Sequence, residues 1–212
     1  MKTHVNQTGQ NSIFVGLAVL FAVLSSSGPA NAQGGAETQT LFGPGTPVSF
    51  VWSPEIKVNS IQHRAGSQIS VYGGALINKS LMLGGAFGSN FGHPTVNYSY
   101  IGLMGQYTYR PERLLHPSAQ LIVAGAKTKD YQKSKTSLFD NFMNTNGSPF
   151  FFVEPGINLE TNLGGKIRLV TGLSYRAAFG LDPSSEFTEF TRVDSRDMSG
   201  LNMNVGVKFG LY

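Results

Sequence analysis

The sequence predicts an all-β fold: an eight-stranded antiparallel transmembrane β-barrel in up-and-down meander order, preceded by a signal peptide. Three observations predict it. Apolar residues recur with a period of two, not 3.6, in eight segments of about ten residues, the length a tilted strand needs to cross a bilayer. Only 13% of the 212 residues are charged, yet mean hydropathy is -0.06 and Gly numbers 26. That low charge without long apolar runs fits neither a helical membrane protein nor a disordered chain. Finally, the connections between segments alternate between short and long.

The elements follow in chain order. Residues 1–32 read as a signal peptide. The run Ile13–Leu24 is too short to span a membrane as a helix, Ser25–Pro29 breaks it, and Ala30-Asn31-Ala32 offers small residues to a signal peptidase. With Gln33 as the new N-terminus, the mature chain is exported. Residues 33–47, rich in Gly, Thr and Pro, form a flexible lead-in to a barrel domain over 48–212. The alternating segments are 50–58, 65–77, 81–88, 100–109, 118–126, 150–161, 166–177 and 201–211. The last shows the pattern most plainly: Leu201, Met203, Val205, Val207, Phe209 and Leu211 share one face. Asn202, Asn204, Gly206, Lys208 and Gly210 share the other.

A soluble ligand-carrying barrel would turn the apolar face inward and cover its exterior with Lys and Glu. Here the non-apolar faces carry mainly Gly, Ala and Ser with few charges, which suits a cramped lumen, so the apolar face points to lipid. The predicted short turns are 78–80, 110–117 and 162–165. The predicted outward connections are 59–64, 89–99, 127–148 and 180–200, of which the first is short. Outward aromatics fall in two girdles. Phe50, Trp52, Tyr107, Tyr109 and Phe209 belong to the periplasmic end; Phe87, Phe151, Tyr175 and Phe179 belong to the outer end.

Seven ionisable residues fall on inward faces: Glu55, Lys57, Glu154, Glu160, Arg168, Arg176 and Lys208. Pairing about the 162–165 turn sets Glu160 opposite Arg168 and Glu154 opposite Ser174, with Arg176 diagonal. Buried ions require partners, so one reading makes these residues a plug that rigidifies the barrel. The other makes Glu154 and Arg176 a switchable pair in a gated polar path. In the 127–148 loop, Lys127, Lys129, Lys133 and Lys135 could meet lipopolysaccharide phosphates by charge attraction, or could simply be solvated.

Evidence for chemistry is thin. There is no Cys, and His63, His93 and His116 have no second His at metal-ligand spacing, so no metal site, cofactor or catalytic residue is predicted. An interfacial lipid-modifying enzyme would need Ser and His together. His93 lies near Ser89 and Ser99, and His63 near Ser60 and Ser67, but such residues are common in loops. His116-Pro117 is placed in a periplasmic turn. The formal charge of +4 includes no basic block for nucleic acid.

Several segments carry a resemblance: Ser53–Val58, Tyr72-Gly73-Gly74 with Ile77–Ser80, Val153–Glu160, Gly172–Arg176 and Val205–Phe209. Together they make residues 50–212 similar to small outer-membrane β-barrel proteins of Gram-negative bacteria, of the OmpA/OmpX-like size class, and to an exported barrel family. The resemblance implies residence in the outer membrane, contact with membrane lipids and lipopolysaccharide, and assembly by the barrel-insertion machinery. It implies no particular activity or oligomeric state. Such barrels often finish on an aromatic in phase with the lipid-facing residues; here Phe209 and Leu211 are in phase and Tyr212 is one step out.

Overall fold

A computed structural model describes residues 45–61, 64–91, 96–130, 148–181 and 193–212. Eight strands make up the sheet: β1 (Val48–Ile61), β2 (Arg64–Ile77), β3 (Leu81–Phe91), β4 (Val96–Thr108), β5 (Leu115–Asp130), β6 (Pro149–Gly164), β7 (Ile167–Phe179) and β8 (Gly200–Gly210). Each pairs antiparallel with the next, and β8 returns to β1, closing the barrel. Closure satisfies the backbone groups of both edges, which a single open sheet in lipid could not do.

Burial alternates along every strand, as in the exposed Trp52, Ile56 and Val58 of β1 against the buried Ser53, Glu55, Lys57 and Asn59. The usual order of a globular protein is inverted. Leu103 is 74% exposed and Ile157 66%, whereas Lys57 and Glu154 are wholly buried. Exposed Ile69, Val71, Leu83, Ile101, Val123, Leu159, Leu173, Met203 and Val205 continue the apolar wall around the barrel. Soluble monomers rarely expose contiguous apolar patches beyond a few hundred Å².

The strands run longer than the sequence predicts. β4 begins at Val96, so Tyr98 joins the lumen, and β5 begins at Leu115. His116 is therefore a fully buried lumen residue and not part of a turn. Backbone pairing here is set by the neighbouring strand: Leu115 through Pro117 continue the β6 register opposite Thr161, Glu160 and Leu159. The β2–β3 connection is the three-residue turn Asn78–Ser80. Asn78 and Lys79 both take positive φ (50° and 60°), and the Ser80 N–H donates to the Ile77 carbonyl at 3.1 Å, the geometry of a type I′ turn.

The β6–β7 turn corrects a second expectation. It is the two-residue Gly165-Lys166 turn with a bulge between Asn162 and Gly164, which moves the register by two. Glu160 thus faces Val170, and Arg168 faces Asn162. The pairs Val153↔Ala177 and Gly156↔Ser174 set Glu154 directly across from Arg176, with Ser174 diagonal. Because the shift is even, every side chain keeps its predicted face.

Candidate functional site

The lumen is the most developed chemical feature of the described residues. β1, β6, β7 and β8 turn charged groups inward, while β2 to β5 contribute Leu76, Met82, Met104, Ile122 and a group of tyrosines. All seven predicted ionisable residues lie inside, each at most 4% exposed. They fall into two clusters with a glutamate between them.

Glu154 organises the first cluster. Lys57 donates to its Oε1, as does the Ser174 hydroxyl at 2.8 Å. Arg176 donates to Oε2 through Nε at 3.0 Å and Nη2 at 2.8 Å, a two-pronged pairing that fixes the guanidinium plane. The rest of Arg176 is also occupied. Nη2 donates to Gln68 Oε1 at 2.8 Å, and Nη1 donates to the Tyr98 hydroxyl. Its guanidinium lies 4.5 Å from the Phe152 ring centroid. Gln68 passes the network to Ser70 at 2.7 Å, which accepts from Tyr100 at 3.0 Å.

Glu160 organises the second cluster. Its Oε1 accepts from Lys208 at 2.5 Å, Gln106 at 2.5 Å and Ser118 at 2.9 Å; Oε2 accepts from Arg168 at 3.4 Å. His116 Nδ1 lies 2.9 Å from the Arg113 carbonyl, which only accepts, so this nitrogen carries the proton. In the neutral ring Nε2 then bears a lone pair, and at 3.5 Å from Glu160 Oε2 it makes no hydrogen bond.

Glu55 sits between the clusters. It accepts from Asn204 at 3.1 Å and Ser53 at 3.4 Å, and among the described residues no lysine or arginine nitrogen is within ion-pair distance. Asn204 also donates to Asn158 at 3.2 Å, and Asn158 to Gln120 at 2.9 Å. Glu55 occupies the space that a Cβ at Gly206 would need, so this glycine makes room for a carboxylate.

Both ends of the lumen are covered. Beyond β7 and before β8, Leu181 and Met198 are buried with Phe150 and Tyr98 at the outer end. At the other end Tyr212 turns inward, its ring 3.6 Å from the Arg168 guanidinium carbon. Burial pushes the Tyr212 phenol up. This inward turn accounts for the one-step phase difference noted in the sequence.

The predicted girdle residues lie on the outer wall. Phe50, Trp52, Phe87, Tyr107, Tyr109, Phe151 and Tyr175 are exposed. Phe209 and Phe179 are half-buried because each stacks on a neighbour, Phe209 on Trp52 at 4.9 Å and Phe179 on Phe151 at 5.3 Å. Lys127 is half-buried on β5, whereas the Lys129 side chain, Lys133 and Lys135 lie outside the described residues, as do His63 and His93. Gln68, Gln106 and Gln120 fall in the inward phase of the predicted segments, whereas Tyr98 and His116 lie outside those segments, and sequence reasoning missed both as lumen residues.

A closed antiparallel barrel with an apolar outer wall and a charged, hydrogen-bonded interior is a small membrane-spanning barrel of the outer-membrane class. Solved structures of similar shape include the N-terminal β-barrel domain of OprF from Pseudomonas aeruginosa, at 12% identity and TM-score 0.49, covering 77% of this chain and 97% of that one. Neisserial surface protein A is 13% identical with TM-score 0.48, covering 78% of this chain and 99% of that one. Ail of Yersinia pestis, solved with the heparin analogue sucrose octasulfate, is 11% identical with TM-score 0.43, covering 77% and 98%. The class rests on this barrel's own closure and surface and not on these likenesses. No family model matches the chain. No curated protein matches it.

Proposed function

We propose that this chain is an outer-membrane protein with a structural or surface-interaction role, its lumen closed and its outer loops forming the interaction surface. The occupied lumen carries the reading: Glu154 and Glu160 each meet two cations, and the groups around them are hydrogen-bonded to one another. Such an interior stiffens a scaffold and leaves little room for solute. Residues 1–32 would direct export and 33–47 would lead into the barrel, which the barrel-insertion machinery would assemble. Lys127, Lys129, Lys133 and Lys135 would meet lipopolysaccharide at the outer surface. No catalytic, metal or cofactor role is assigned.

One observation favours a second reading, a narrow polar passage. Beside Glu55, Asn204 Oδ1 and Gln120 Nε2 are buried without partners, which leaves unsatisfied polar atoms at the middle of the lumen. Planar-bilayer recording separates the two. The closed scaffold predicts no steady current from the folded protein; a stable unitary conductance that changes in Glu55→Gln would establish the passage instead.

A further inference from the structure

Three turns close the barrel at the end where β1 begins and β8 finishes: Asn78–Ser80, residues 109–114 and Gly165-Lys166. They carry Lys79, Arg110, Arg113 and Lys166, all exposed. Their sole acidic companion is Glu112. The other acidic side chains described are either inside the lumen, as Glu55, Glu154 and Glu160, or at the opposite end, as Asp194 and Asp197. Among the described residues this rim therefore carries four cations against one carboxylate.

It is also apolar. Leu114 is 71% exposed and Leu163 62%, in or beside the same turns. Cations next to bare leucines suit a headgroup layer, where the aliphatic chain dips toward acyl tails and the cation reaches phosphate. The turns are tethered. Asn162 Nδ2 donates to the Pro111 carbonyl at 3.0 Å and the Arg113 carbonyl at 2.7 Å, and the Gly210 N–H donates to the Lys166 carbonyl at 3.0 Å. The charges are thus held around one barrel mouth, level with the girdle of Trp52, Tyr109 and Phe209.

We propose that this rim recruits anionic phospholipids, two-chain lipids with a net negative phosphate headgroup, from the leaflet it faces. The inference rests on the membrane-barrel reading. It concerns the end opposite the predicted lipopolysaccharide contacts.

Trp52 provides the test. It is the chain's single tryptophan, it is 45% exposed on the wall at this end, and its stacking partner Phe209 pairs with Ile167, next to Lys166. The protein is folded into phosphatidylcholine vesicles containing a minor fraction of phosphatidylglycerol. Bromine is placed on the acyl chains of the anionic lipid, or on an equal mole fraction of the zwitterionic lipid. One basic residue near an anionic surface shifts lipid partition by up to about fivefold, so brominated phosphatidylglycerol should quench Trp52 about twofold or more strongly than brominated phosphatidylcholine. Lys79→Asn/Lys166→Gln, which leaves Arg110 and Arg113 in place, should lower the excess, and high salt should remove it; Lys127→Gln, toward the other end, should retain it. Equal quenching by the two lipids, or an excess undiminished in the double variant, overturns the proposal. Absence of quenching by either lipid refutes the membrane-barrel reading itself.

Discussion

Neutralising Glu154 should unbalance the lumen more than any outward substitution of similar size. Glu154→Gln keeps the shape of the side chain and removes its charge. The change leaves Lys57 without its ion partner in a fully buried position and takes the two-pronged acceptor from Arg176. Arg176 retains Tyr98 and Gln68, so the stranded Lys57 ammonium dominates the loss. Breaking a buried pair by removing one partner costs about 3–5 kcal/mol. Removing the stranded charge as well, in Glu154→Gln/Lys57→Met, should recover about half of that loss or more, because an apolar replacement of a buried pair is often close to neutral. Reversible urea unfolding in phospholipid vesicles, followed by Trp52 fluorescence, measures both variants. A Glu154→Gln stability within about 0.5 kcal/mol of the parent, the usual range of a surface substitution, would refute the reasoning. So would a double variant no more stable than the single one.

Further outcomes follow from the packing and the outer wall. A Cβ at Gly84 would stand 2.6 Å from the Gly74 Cα, so Gly84→Ala should destabilise the barrel by about 1–3 kcal/mol in the same unfolding assay. At outward Gly105 the nearest atom is Leu83 Cδ2 at 3.7 Å, so Gly105→Ala should be tolerated. Leu103→Arg, on the exposed wall, should cost about 2–4 kcal/mol in vesicles if that wall meets acyl chains near the midplane. Tyr212→Ala uncovers Arg168 and should cost about 1 kcal/mol, read from the temperature at which the folded protein loses its faster mobility in SDS gels.

The period-two pattern made the barrel legible because lipid outside and a narrow lumen inside impose opposite demands on alternate residues. The face of each lumen charge could be read for the same reason, and a register error of two left every face unchanged. Partner assignments were not legible at that level. The Asn162–Gly164 bulge and the Gly165-Lys166 turn decide whether Arg176 or Ser174 stands across from Glu154, and nothing in alternation specifies a bulge. Sequence reasoning places His116 in a turn and Tyr98 outside any strand because each lies near a strand end, where pairing with a neighbour extends a strand past its strongly apolar part. The division of the lumen between charge-bearing strands and strands that contribute neutral polar and apolar groups appears only once strands distant in sequence are brought side by side.

The chain contains no Cys, so single cysteines can be placed along β6 and spin-labelled without background. Collision rates with oxygen and with a water-soluble nickel complex then report what each side chain meets. Labels at Phe151, Ile157 and Leu159 should be open to oxygen and shielded from nickel, while those at Phe152 and Asn158 should be shielded from both. Nickel access at Ile157 and Leu159 equal to that of an exposed turn residue would show water where lipid is required, and would contradict the assignment of the apolar wall to the membrane.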